Sequence, residues 1–119
     1  MQYIILANET ADDFDQRDDP HASGEYWAAW SGYIAALAES GIMTSAGGLM
    51  PPHTATTLRR TGGDVTVEDG PFADTKEQLG GYFVIDVADL DTALEWARRC
   101  PAANSASVEV RPLLPSMND

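Results

Sequence analysis

Lysine is almost missing from this 119-residue chain: Lys76 is the single one, and with six arginines it stands against nineteen acids, a formal net charge of −12. Nucleic-acid affinity rests on Lys and Arg neutralising phosphates, so no direct binding of DNA or RNA is expected. Cysteine is equally scarce. Cys100 is alone, which rules out an intramolecular disulfide, and His21 and His53 are not at ligand spacing for a structural zinc. Neither a metal nor a cofactor is expected. No apolar run approaches the roughly 20 residues of a membrane span, and the opening "MQYIILANETADDFD" lacks the basic flank and long apolar region of a secretory signal. The expectation is a cytoplasmic protein with no membrane partner. "SAGGLMPP" lacks the lysine and hydroxyl residue of a phosphate loop, and no serine or cysteine sits in a recognisable nucleophile elbow. Covalent catalysis has no support.

What is present suits one folded unit over residues 1–119, with 44% hydrophobic residues and a length that allows a single core. "QYIILA" reads as a buried strand. From Glu9 to Glu25 seven acids face only Arg17, a block that reads as a solvated loop. Ser23 is a plausible N-cap for a helix whose apolar face recurs at Tyr26, Trp27, Trp30, Tyr33, Ile34 and Leu37, and Gly41 supplies the left-handed stop. This aromatic face reads as core rather than as a ligand cage. "TATTLRRTGGDVTVEDG" reads as a hairpin turning at Gly62 and Gly63. "GYFVIDV" reads as a central strand, Asp89 as the cap of a second helix ending at Arg98, Arg99 and Pro101, and "SVEVRPLL" as a closing strand.

The order is therefore βαβ, a hairpin, then βαβ, which predicts an α+β, ferredoxin-like sandwich. Two helices cover one face of such a sheet. The other face needs a partner, and a second copy packing sheet on sheet about a two-fold axis is the simplest one, so a homodimer is expected.

The densest stretch is "EDGPFADTKEQLGGYF", Glu68 to Phe83. Turn chemistry accounts for much of it: Pro71 pushes Gly70 toward extended angles, Asp69 can accept backbone N–H groups past the proline, and Thr75 with Gln78 has capping-box spacing for a short helical turn. Lys76, among Asp69, Asp74 and Glu77, is either a structural ion pair or an anchor for a small anionic ligand. Glu109 and Arg111 alternate with Val108 and Val110 and so share a strand face, which lines a cleft if that face is concave and is an ordinary surface pair otherwise. His53, after "LMPP", and Asp69 are the candidates for proton transfer.

"DGPFADTKEQLGGYFVIDVADLDTALEWARRCP" followed by "VEVRP" resembles the DGPF-domain branch of the YCII-related proteins, and the resemblance runs from "YIILA" to "VRPLL". It implies a dimeric α/β barrel built on the ferredoxin-like fold. The broader superfamily includes small-molecule enzymes, a dehydrochlorinase among them, while some DGPF domains accompany sigma factors. The resemblance thus implies a small-molecule-binding or cofactor-free acid/base protein, or else a regulatory protein-interaction module linked to sigma-factor control. Some relatives carry a histidine on the first helix beside an acid; this helix has none, so that mechanism does not carry over. Lys76, Glu109 and Arg111 are the expected substrate-binding residues.

Overall fold

A computed structural model describes residues 1–115. The first strand, β1 (Gln2–Thr10), alternates strictly: Tyr3, Ile5, Ala7 and Glu9 are buried, and the residues between them are half-buried. That phase carries the strand through the start of the acidic block, which is not a solvated loop. Thr10 then caps a short helix, α1 (Ala11–Gln16), through a reciprocal capping box with Asp13. The long helix α2 (Ser23–Ser40) starts one residue earlier than expected, because Ala22 holds the N-cap position without a side-chain bond and Ser23 is already helical. Gly41 ends it at φ 78°.

Strand β2 (Met43–Gly48) leads through a 3₁₀ turn at Pro52–Thr54 into a hairpin of β3 (Thr56–Thr61) and β4 (Asp64–Asp69). Gly62 and Gly63 turn it at φ 57° and 99°, the left-handed angles that match the strand twist. Strand β5 (Glu77–Asp86), helix α3 (Leu90–Arg98), a helical turn α4 (Ala102–Ser105) and β6 (Ser107–Pro112) complete the chain. Asp89 caps α3 by accepting from Thr92 N–H at 2.9 Å. Among the described residues no helix is long and apolar enough to cross a membrane.

The main sheet has the order β2-β5-β1-β6 with every neighbour antiparallel, and β3 and β4 form a sheet of their own. Each βαβ half thus leaves room for one strand of the other half between its own two, which is the ferredoxin-like topology. The helices cover one face, where Tyr3, Ile5 and Ala7 of β1 and Phe83 and Ile85 of β5 meet Trp30, Tyr33 and Leu37 of α2 and Ala93 of α3. Residues directly opposite in a ladder share a face. Ile4 opposes Val84 and Arg111, and Leu6 opposes Tyr82 and Glu109, so these six stand on the face without helices.

The densest stretch folds differently from its expected turn. Gly70 sits at φ 103°, not in the extended region, and its N–H bonds Ala55 O at 2.7 Å. Thr75 and Gln78 make no helical turn: Gln78 is already in β5, and its amide donates to Ala73 O and Thr75 O. The Asp69 carboxylate accepts no hydrogen bond among the described residues; Thr57 Oγ1, donating to Gly70 O at 2.7 Å, ties the turn instead.

Candidate functional site

The site is built where β1, β5 and α2 converge. Ladder pairing between β1 and β5 slips after Ala7, where Ala7 faces Gly81 and Asn8 faces Leu79, so Gly80 is the extra residue of a bulge. A Cβ on Gly80 would stand 1.9 Å from Oε2 of Glu9. The bulged glycine therefore makes room for a carboxylate in the sandwich, and Glu9 is only 2% exposed.

A buried charge needs a partner and filled hydrogen bonds. Glu9 has both. Arg17 Nη2 donates to Oε2 at 2.7 Å, and the Tyr26 hydroxyl donates to Oε1. Arg17 Nε donates in turn to Tyr26 Oη at 2.9 Å and Nη1 to Leu49 O at 2.6 Å. The rings of Phe14, Tyr26 and Trp27 lie within 4.8 to 5.8 Å of the guanidinium carbon. Burial alone would lower the Arg17 pKa, but the bonds to Tyr26 and the charge of Glu9 outweigh it and the net direction is upward. Burial, then the bond to Glu9, pushes the Tyr26 hydroxyl up to about 12. The cluster is thus a carboxylate held between a fixed cation and a phenol that keeps its proton.

This cluster forms the polar end of a cavity of about 350 Å³ between α2 and the sheet. Trp27, Trp30 and Ile34 of α2, Leu49 and Met50 of the following loop, and Phe83 of β5 make its apolar walls. Trp30 and Phe83 stack with centroids 6.2 Å apart. Of the α2 aromatics Tyr26, Trp30 and Tyr33 are core, as expected, whereas Trp27 is exposed; Tyr26, Trp27 and Trp30 line the cavity, so this face is not core alone.

An outer cleft of about 720 Å³ adjoins it, the two sharing Asp18 and Pro51 in their linings. His53, Asp69 and Lys76 meet there, with Asp15, Asp18 and Asp74 around them. The lining holds one cation, Lys76, among four carboxylates. Glu109 and Arg111 lie elsewhere, on the helix-free sheet face, paired with each other at 2.6 Å and largely exposed. The structure therefore brings three of the five candidates together and leaves the other two apart. No group of three or more metal-ligating side chains occurs among the described residues.

Glu9, Arg17 and Tyr26 were not singled out by sequence as a site. The signal available was phase: Glu9 continues the odd-numbered series Tyr3, Ile5, Ala7, and an acid in phase with buried residues calls for a cation.

The profile of the YCII-related domain matches residues 1–116. An uncharacterized protein of Rhizobium meliloti (strain 1021) is 49% identical over 77 residues, which cover 63% of this chain and 62% of that protein. Among solved structures, the 5-chloro-2-hydroxyhydroquinone dehydrochlorinase of Burkholderia phenoliruptrix AC1100, in complex with 2,5-dihydroxybenzoquinone, superposes with a TM-score of 0.57 at 15% identity, covering 100% of this chain and 99% of that one. At that identity the likeness is one of fold, the dimeric α/β barrel type.

Proposed function

The chain belongs to the YCII-related family, and from that premise we propose that it binds a small, flat, oxygenated ring compound in the inner cavity and moves a proton on it without a cofactor. One observation carries the reading: a single buried carboxylate, bonded to a phenol and a guanidinium, closes the end of a cavity whose walls are mostly apolar. A cavity of about 350 Å³ is within the range of small-ligand sites, and aromatic walls with a few convergent polar groups are their usual make-up. The solved relative in fold holds a ligand of this kind, 2,5-dihydroxybenzoquinone.

In the proposed step Glu9 takes a proton from the ring and becomes the neutral acid, the ring keeps the electron pair, and the proton returns to the ring or leaves to solvent. Arg17 and the protonated Tyr26, whose one proton is given to Glu9, hold the carboxylate in place, and the guanidinium offers charge to the ring oxygen that gains electron density. Lys76, His53 and Asp69 would act only at the outer cleft, with Lys76 meeting any anionic substituent that reaches it. The proposal also includes a homodimer, paired through the helix-free face whose half-buried Ile4, Leu6, Tyr82 and Val84 have no cover. Neither the family match nor the solved neighbour supports the regulatory alternative.

The test is calorimetric titration of 2,5-dihydroxybenzoquinone and related hydroxylated rings into wild type and Ile34→Trp. Ile34 lines the cavity yet is partly exposed, so the larger ring fills the space without disturbing the core. Wild type should bind one of these rings with Kd below about 1 mM, and the variant should bind none. Equal binding by both, or no binding by wild type, overturns the reading.

A further inference from the structure

The hairpin of β3 and β4 is an arm without a fold to lean on. Among the described residues its strands pair only with each other. One side carries Thr57, Arg59 and Thr66; the other carries Leu58, Val65 and Val67, which are 62%, 45% and 62% exposed. An isolated two-stranded hairpin is marginal in water, and an uncovered apolar face makes it more so. The arm also distorts the outline of the molecule. Its radius of gyration is 16.2 Å where a compact chain of this length would have roughly 13 to 14 Å. The extents are 47 × 45 × 18 Å, those of a slab one helix layer and one sheet layer thick.

We propose that this arm is a clasp: its apolar face, Leu58, Val65 and Val67, packs on a second copy of the chain in the dimer read above. The inference rests on that dimer and adds what holds it. The main sheet has four strands of 6 to 10 residues; at about 4.8 Å between strands and 3.3 Å per residue its flat footprint is roughly 500 Å². A stable interface takes about 800 Å² from each partner. The sheet face alone falls short. One arm face adds roughly 200 Å² by the same spacing, and two-fold symmetry gives each protomer an arm to donate and an arm to receive, which closes the gap.

The experiment uses the lone native thiol as a silent background: Cys100 is buried, and burial pushes it up to about 11. Val67→Cys then provides the reactive thiol, and Thr66→Cys, on the opposite side of the arm, is the control. Maleimide labelling is followed under reducing conditions across a dilution series, with sedimentation on the same samples. Where sedimentation shows dimer, the thiol at position 67 should label at least about tenfold more slowly than on dilution to monomer, while the thiol at 66 labels fast throughout. A dimer in which position 67 labels as fast as position 66 overturns the clasp and leaves the sheet pairing standing. Slow labelling of position 67 in a monomer also overturns it, since the arm would then be covered by its own chain. Sedimentation as monomer at every concentration overturns both the clasp and the dimer it rests on.

Discussion

Glu9 is expensive to bury, and the residues around it show what the cost secures. Replacing one partner of a buried ion pair strands the other charge, so Arg17→Met should lose roughly 3 to 5 kcal/mol, and Glu9→Gln with Arg17→Met together should lose less than the two added separately. Urea denaturation measures all three. A loss under about 1 kcal/mol for Arg17→Met would show that Arg17 is not what compensates the burial of Glu9. Tyr26 gives the cluster a pH signature. Its unfolded hydroxyl ionises near 10 and its folded one near 12, so the folded state binds that proton more tightly. The stabilisation is complete below pH 10 and is lost as pH rises through 12. Tyr33, raised by burial, adds to the same loss. The alkaline fall of the thermal midpoint should therefore be shallower in Tyr26→Phe than in wild type; equal slopes would remove Tyr26 from the titration. None of this is visible in composition. The run of acids from Glu9 to Glu25 reads as solvated because it is counted by charge, whereas Glu9 is buried by strand phase and by contacts to residues eight and seventeen positions away.

At the scale of elements, the legible parts were those whose signals are local. The α2 stripe Tyr26, Trp30, Tyr33 and Leu37, the Gly41 stop, the Gly62 and Gly63 turn and the Asp89 cap each follow from a few adjacent residues and stand where their signals put them, while Trp27 and Ile34 of the expected face are exposed. The paired glycines of β5 were legible only as punctuation. Their role comes from across the ladder: Gly80 is the bulge that admits the Glu9 carboxylate, and a Cβ on Gly81 would stand 3.2 Å from Gly47 O. Two glycines of identical chemistry should therefore respond in opposite ways. Gly32→Ala, in mid-α2 with nothing within 4 Å of the added Cβ, should gain about 0.5 to 1 kcal/mol from helix propensity. Gly80→Ala must drive out the carboxylate and should lose at least about 1 to 3 kcal/mol, the range of overpacking. Thermal or chemical unfolding of the two variants decides it. A Gly80→Ala protein as stable as wild type would show that the bulge is not what makes room for Glu9.

For the whole molecule the governing quantity is the charge of −12 on each copy. Treated as points about 20 Å apart in water, two such copies repel by roughly 30 kcal/mol before screening. At 0.1 M salt the Debye length is about 10 Å, which cuts that figure about sevenfold at the same separation. Attractive pairs across the interface cannot compete at low salt, because exposed ion pairs such as Arg111 or Arg60 could form contribute about 0 to 1 kcal/mol each. The apolar faces contribute a term that salt hardly weakens. The two effects predict a sign: the dimer dissociation constant should fall as sodium chloride rises from about 10 to 200 mM and then level off once the Debye length is well below the roughly 20 Å between the copies. Sedimentation equilibrium at several salt concentrations reads it directly. The same net charge predicts that duplex DNA should stay unbound at physiological salt, and a salt-sensitive gel shift without a partner protein would overturn that. A dissociation constant that rises with salt would mean that specific ion pairs, not apolar burial, hold the copies together, and the clasp face centred on Leu58 and Val67 would be the wrong surface to credit.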